Sequence, residues 1–251
     1  MLAGITLIAN GIELNYPFEI CINNLCKCCD LVIVNTDIRN RDNTLARLKA
    51  IQFTSTTPIY ILETKWDWSV SQGKDLAYRA NQCIDKVLRI GYVQSILYLQ
   101  ADEVIHPDQI NNIKYLSETH NIALERTYFW KDLEHINKDW TLHIPRLCKL
   151  SNKLRVVEDG MSMCVDHDKG SYIELDPKHA RIYHYSRIGN TQHIASRLNN
   201  LDSLFHKQEE FKQLIDYEFG INNNYEQGAD TKNIKKIKLE HPPGIKEFYF
   251  G

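Results

Sequence analysis

What this sequence lacks narrows it first. Neither G-x-G-x-x-G nor G-x-x-x-x-G-K-[ST] occurs in its 251 residues, whose 11 glycines are scattered. A dinucleotide-binding dehydrogenase and a P-loop enzyme both use such loops to bring backbone amides against phosphate, so the chain reads as neither. No apolar run approaches the length of a membrane span. The opening stretch "MLAGITLIANGIELNY" has no basic flank and no small-residue cleavage site, so it reads as a first strand, and the protein as cytoplasmic with no integral membrane segment. An excess of basic charge is also missing: 30 Lys and Arg face 32 Asp and Glu, a net charge of -2, which gives no global field for nucleic acid. The remaining composition, 43% hydrophobic and 25% charged, is that of a globular chain able to bury a sizeable core.

Cysteine is present in seven copies, four of them in "CINNLCKCCD" (Cys21, Cys26, Cys28, Cys29). The spacing is not that of paired C-x-x-C zinc units, and no histidine lies nearby. A helix accounts for more: Asn15 as cap, Pro17 in the first turn, then Phe18, Cys21, Ile22, Leu25 and Cys28 or Cys29 on one face. Reduced cysteine there is a small hydrophobe.

Over the first hundred residues, short β-rich runs alternate with helical periodicity. The runs are "GITLIA" (4–9), "LVIV" (31–34), "PIYIL" (58–62) and "SILYL" (95–99); the clearest helix follows Gly73. Strands apolar throughout are covered on both faces, and strand-helix alternation predicts a mostly parallel sheet with right-handed crossovers. From residue 121 to 186 the runs are strand-like without good helices between them, which predicts a mixed or antiparallel extension. An amphipathic helix is expected over about 190–219, then a polar tail, 220–251, that wraps the domain or is partly disordered. "DHDKG" (166–170) reads as a hairpin turn.

In parallel sheets ligands sit beyond the carboxyl ends of the strands. The residues there are Asn10, Asp37, Glu63 with Trp66, and Asp102-Glu103, an acidic and polar edge. A carboxylate ending a buried strand is costly unless a cation or donor meets it. Two readings of Asp102 stand open from these residues alone: a seat for Mg²⁺ or Mn²⁺ holding a diphosphate, or a cap, by Asp102 or His106, for a helix starting at Pro107.

Taken in order, "IANGIELNYPFEICINNL", "DLVIVNTDIRNRDNT", Trp66, "GKDLAYRANQ" and "ILYLQADEVIHPDQI" resemble the family two type of glycosyltransferases. The likeness runs in register over about residues 4–110 and continues more weakly through "IPRLCKL", "VEDG" and "IYHYSRIGNTQHIASRLNNL" to "HPP" at 241–243. It implies the α/β GT-A fold over 1–219, with a nucleotide-sugar half (1–108), an acceptor-side half (109–188) and a helix (189–219). It also implies a metal-assisted, inverting transfer from a nucleotide-diphosphate sugar to a hydroxyl.

Carried over residue by residue, the resemblance implies that Asp102 and His184 hold Mn²⁺ or Mg²⁺. The backbone around Ala9 and Asn10 and the carboxylate of Asp37 would hold the nucleoside, Trp66 would belong to the donor-binding residues, and Lys74 and Arg187 would face the phosphates. Asp159, or else Glu158, would be the catalytic base. The family's Asp-x-Asp falls on Gln100-Ala101-Asp102, so an amide replaces its first carboxylate; Gln100 is then left to ribose or a metal-bound water. Two other classes share the fold: a sugar-nucleotide-binding module that has lost its chemistry, and a nucleotidyltransferase, which would normally carry a Gly-rich loop where "ANGIELNY" has one glycine. The acceptor is open, glycan or small molecule. Richness in Asn, Ile, Lys and Tyr fits an AT-rich genome; were that viral, hydroxylated bases of phage DNA would join the candidates. "DTKNIKKIK" (230–238) and the run Arg146-Lys149-Lys153-Arg155 would then face phosphates, against the simpler reading of a solvated charged surface.

Overall fold

Strands β1 (Leu2–Ile8), β2 (Leu31–Asp37) and β4 (Ser95–Tyr98) are buried throughout, and β3 (Ile59–Thr64), of which only Ile59 is buried, ends the parallel half at the sheet's edge. The computed structural model describes residues 1–70, 73–158, 160–165, 172–189, 193, 194, 196, 197 and 233–251. The strands run parallel in the order β3-β2-β1-β4, with Ile5 beside Ile33 on one side and beside Tyr98 on the other. Alternate residues feed opposite cores. Val32 and Val34 pack with Cys21, Ile22 and Leu25 of helix α1 (Phe18–Cys28). Leu31 and Ile33 pack with Ala80, Cys83, Ile84 and Val87 of helix α3 (Lys74–Ile90). Helix α2 (Thr44–Thr54) follows β2, and α3 stops at Gly91, whose φ of 85° is the left-handed turn that ends helices.

The cysteines are all free thiols, and Cys21, Cys28 and Cys29 are core residues, as the helical reading requires. Asn15 differs from expectation. It does not cap α1 but takes a left-handed φ of 50° two residues before the N-cap, Pro17, where the loop turns into the helix.

Beyond β4 the chain makes strand β5 (Glu103–Ile105), a short 3-10 turn (Pro107–Gln109) and helix α4 (Ile110–Ser117). It then forms β6 (Ile122–Lys131), β7 (His135–Asn137) and β8 (Leu142–Lys149). Strand β8 is antiparallel to β4 and to β6, so it joins the parallel half to a mixed extension. Strands β9 (Leu154–Val157) and β10 (Ser162–Val165) depart from the expected extension by forming a separate two-stranded ribbon over α3. Strand β11 (Ile173–Glu174) pairs with β6, not with β10, so the runs on either side of 166–170 are not a hairpin. Residues 166–170 themselves, and most of the helix expected over 190–219, lie outside the described residues.

Strand β12 (Arg181–Ile188) runs parallel to β6 and antiparallel to β5. From residue 233 the tail does wrap the domain: β13 (Ile234–Lys236) pairs with β7, and helix α5 (Ile245–Phe250) buries Ile245. His241 links Tyr185 Oη, 3.0 Å away, to the Leu133 carbonyl at 2.8 Å. No helix among the described residues is long and apolar enough to cross a membrane. The topology therefore matches the expected fold class, a mostly parallel half joined to a mixed half.

One side chain fastens the end of β5 to the helical layer. The Asn24 amide donates to the Ile105 carbonyl at 2.7 Å and accepts from the Ile105 N–H at 2.9 Å, all of it buried. Asn24→Leu keeps the volume but strands both backbone groups, and is expected to cost about 2–4 kcal/mol in urea unfolding. A loss below about 0.5 kcal/mol would show the bonds to be dispensable.

Candidate active site

The order of strands reverses between β1 and β4, because β1 leads on to β2 on one side and meets β4 on the other. In a parallel sheet that point opens a crevice at the carboxyl ends. A cavity of about 480 Å³ lies there, entered by Ala9 after β1 and by Gln100, Ala101 and Asp102 after β4. Trp66 and Trp68 form one wall, their rings 5.3 Å apart. Tyr128 and Trp140 form another, in an edge contact at 5.0 Å. Arg126, His184 and Arg187 also line it.

The two carboxylates after β4 have different partners. Glu103 is fully buried; its Oε1 accepts from Arg126 Nε at 2.8 Å and from Arg146 at 2.9 Å, and its Oε2 accepts the Gln100 N–H at 2.8 Å. Asp102 faces the cavity. Burial, with the charge of Glu103 beside it, raises its pKa from 3.8 to about 6. Neither caps a helix. His106 does so, its Nδ1 accepting the Asp108 N–H at 3.3 Å, so the cap falls to His106 and not to Asp102.

His184 stands opposite Glu103 in the β5–β12 register. Its Nε2 lies 2.6 Å from an Arg126 nitrogen, and a guanidinium only donates, so Nε2 must accept. The proton of the neutral ring is therefore on Nδ1, 3.5 Å from Asp102 and 3.6 Å from Glu103. Burial, then the guanidinium groups of Arg126, Arg146, Arg187 and Arg197, hold its pKa well below the ordinary value, so the ring stays neutral.

The other expected site residues divide. Ala9, Trp66, Gln100, Asp102, His184 and Arg187 come together around the cavity. Asn10 does not line it; at a φ of 48° its backbone N–H donates to Asn40 at 2.6 Å and its side chain accepts the Arg41 N–H at 2.8 Å, pinning two loops together. Asp37 is one layer back. It accepts from Trp68 Nε1 at 2.8 Å, from the Arg39 N–H at 3.0 Å and from the Trp66 N–H at 3.4 Å. Although burial pushes its pKa up, these donors hold it below the usual carboxylate value. It positions the tryptophan wall, and the nucleoside contact expected of its carboxylate is replaced by protein donors. Lys74 is an exposed first residue of α3 and does not line the cavity.

The turn after β9 does reach the site. Tyr98 Oη donates to the Gly160 carbonyl at 2.8 Å, and Met161 lines the cavity. Gly160, at a φ of 83°, sits where a Cβ would come within 2.8 Å of Leu76 Cβ, so glycine allows this close approach. Glu158 is exposed, with a φ of 55°, and is not among the lining residues; Asp159 lies outside the described residues.

Arg126, Trp68, Tyr128 and Trp140 escaped the sequence reading. The alternation in "LERTYFW" was the available signal, since Arg126, Tyr128 and Trp130 share one face of β6. The basic run is corrected: Arg146 is wholly buried on Glu103, Lys149 bonds the Glu118 carbonyl at 2.7 Å, and Arg155 pairs with Asp85 at 3.5 Å, so no continuous phosphate-facing strip exists. In 230–238, Lys236 pairs with Glu134 at 2.8 Å.

The divalent cation implied by the resemblance does not fit these residues. Position 100 offers an amide, Glu103 is taken by two arginines, and His184 has its one free lone pair on Arg126. Among the described residues only Asp102 remains as an anionic donor at the cavity, and they contain no group of three His, Cys, Asp or Glu able to hold a metal.

Comparison with known proteins adds a likeness of shape. No family profile and no curated protein matches the chain. Among solved structures, residues 1–349 of TarS from S. aureus are 14% identical, with a TM-score of 0.46 over 89% of this chain and 74% of that one. The same protein in complex with UDP-GlcNAc gives 13% identity and a TM-score of 0.40 over 89% and 74% of the two chains. A putative glucose-1-phosphate thymidylyltransferase from Bacillus anthracis gives 11% identity and 0.42 over 84% and 99%. The architecture stands on the strand order and register described above, not on these superpositions.

Asp102 ties stability to pH. Its carboxyl holds a proton more tightly folded than unfolded, so the stability it contributes is complete below the unfolded pKa of about 3.8 and is lost as pH rises through about 6. Asp102→Asn is therefore expected to stabilise the protein at pH 8 by on the order of 2–3 kcal/mol, with the gain shrinking towards pH 4. Denaturant melts at both pH values check this; a variant less stable at pH 8 than at pH 4, each relative to wild type, would contradict it.

Proposed function

We propose that the chain is a glycosyltransferase that uses a nucleotide-diphosphate sugar. One observation carries this reading: the crevice where β1 and β4 diverge has guanidinium groups, Arg126 and Arg187, on one side and the Trp66–Trp68 wall on another. Guanidinium groups suit phosphate oxygens, and aromatic walls suit a base or a sugar ring. Ala9, Trp66, Gln100, Asp102, His184 and Arg187, all within the stretches that resemble glycosyltransferases of family two, line this crevice, which supports the same class.

In this reading the acceptor hydroxyl attacks the anomeric carbon as the bond to the diphosphate breaks, with inversion at that carbon. A carboxylate takes the hydroxyl proton, and the resemblance assigns that role to Asp159. Arg126 and Arg187 stabilise the negative charge that gathers on the departing diphosphate. Trp66 and Ala9 flank the nucleoside, and Tyr128 and Trp140 offer the opposite wall to the sugar or acceptor. No step passes through a metal.

Thermal-shift screening of nucleoside diphosphates and their sugars, UDP and UDP-GlcNAc among them, is expected to give a raised melting temperature for one family of ligands. For that ligand, Asp159→Asn is expected to lower donor hydrolysis or transfer by about 100-fold or more while leaving its affinity unchanged. Binding with no turnover by the unaltered protein would assign a binding module instead, and a panel with no binder would remove the sugar-nucleotide reading.

A further inference from the structure

We infer that Trp68 is the surface on which the ligand's nucleobase stacks, and that Asp37 acts on the base only through that indole, as a positioning residue that serves every base alike. The inference rests on the sugar-nucleotide reading for the presence of a base; the rest follows from how the tryptophan wall is held.

Two polar residues of one buried strand hold two tryptophans of one loop. Asn35 and Asp37 stand two residues apart on the same face of β2, and Trp66 and Trp68 stand two residues apart after β3. Asn35 Oδ1 accepts from Trp66 Nε1 at 3.0 Å, and Asp37 Oδ2 accepts from Trp68 Nε1 at 2.8 Å. The one polar atom of each indole is thereby turned back onto β2. The loop's backbone is tied as well. The Trp66 N–H donates to Asp37 at 3.4 Å, Arg39 donates to the Trp66 carbonyl, and the Asp67 N–H donates to Asp75 of α3 at 3.1 Å. Asp67 in turn accepts from the Ser69 N–H at 3.0 Å and its hydroxyl at 2.6 Å, closing the turn that carries Trp68.

The two rings differ in what they show the cavity. Trp66 is 3% exposed and backs Trp68, which is half-buried and opens onto the cavity. Their centroids are 5.3 Å apart and their planes are tilted by 34°. A ring inserted between them would need about 7 Å, two contacts of about 3.5 Å each, so a ligand ring lies against Trp68 and not between the pair. With its N–H on Asp37, Trp68 presents ring carbon, which suits the π-face that every nucleobase has. Asp37 does not line the cavity, and its carboxylate is held by donors from Trp66, Trp68 and Arg39. A carboxylate so placed sets the angle of the indole and leaves the edge of the base to others.

UDP, GDP, ADP and CDP are titrated calorimetrically into the full chain with Mn²⁺ in every buffer, and inorganic pyrophosphate is the probe without a base. Trp68→Ala is expected to weaken the nucleotides about tenfold or more, by factors within about fivefold of one another, and to change pyrophosphate less than about twofold. Asp37→Ala is expected to weaken the nucleotides about threefold or more, again within about fivefold of one another. In a Trp68→Phe background, where the N–H it holds is gone, the same change should add less than about twofold. Should Asp37→Ala fail to fold, Trp68→Phe decides, since its loss must also be alike for every base. Where a single nucleotide binds, the double-mutant cycle decides. A loss in Asp37→Ala that differs more than about fivefold between bases, or that persists undiminished in Trp68→Phe, makes Asp37 a base contact. That result overturns the inference and leaves the transferase reading intact. Nucleotides indifferent to Trp68→Ala, or pyrophosphate bound as tightly as they are, also overturn it. Failure of all four nucleotides to bind removes both readings. Nucleotides that respond as expected, with no sugar nucleotide turned over, support the stacking surface and remove the transferase reading.

Discussion

A single carboxylate, Glu103, shared by two arginines holds the site end of this fold together. It begins β5, Arg126 lies on β6, Arg146 on β8, and His184 of β12 is its register partner. Four strands from the mixed half are thereby fastened at the point where β4 ends. The arrangement is sensitive to loss of any member, since an orphaned buried charge costs about 3–5 kcal/mol. With Glu103 satisfied internally, Asp102 is, among the described residues, the carboxylate that lines the cavity.

The parallel half was legible because β1, β2 and β4 are apolar on both faces and α1 and α3 carry an apolar stripe, whereas α2, which buries only Thr44 and Leu48, offers no such signal. The strand and stripe signals follow from sequence period alone, as β2 and α3 show. The acidic strand end was legible as a site for the same reason: "ILYL" stops at "QADE", and a buried strand does not end in carboxylates without a partner. The identity of that partner was hidden. Arg126 and Arg146 are 23 and 43 residues away from Glu103, and nothing local distinguishes Arg146 from its surface neighbours Lys149, Lys153 and Arg155. Asn10 and Asp37 show the converse. Each sits at the right edge of the sheet, but loop contacts and tryptophan N–H groups claim their polar atoms, and such claims depend on loop geometry that periodicity does not encode. The ribbon β9–β10 was read as sheet for the same reason: its residues are strand-like, and only the packing on α3 takes it away.

The pocket joins two kinds of surface that seldom meet by accident. Its charged side is rigid, being tied to the sheet through Glu103 and through the neutral imidazole of His184. Its aromatic side is carried partly by loops, with Asp37 bracing Trp68 and Asn35 accepting from Trp66 Nε1 at 3.0 Å. A phosphate-bearing group would thus be met by a prebuilt frame, while the ring system beside it is met by side chains set on a separate brace.

That placement of tryptophan has an optical consequence. The chain has four tryptophans. Trp66, Trp68 and Trp140 line the pocket, and Trp130 is 5.8 Å from Trp140. All the indole emission therefore originates within one ring contact of the cavity, with no distant fluorophore to dilute it. Intrinsic fluorescence excited at the indole band is a label-free reporter of occupancy that the fold itself provides.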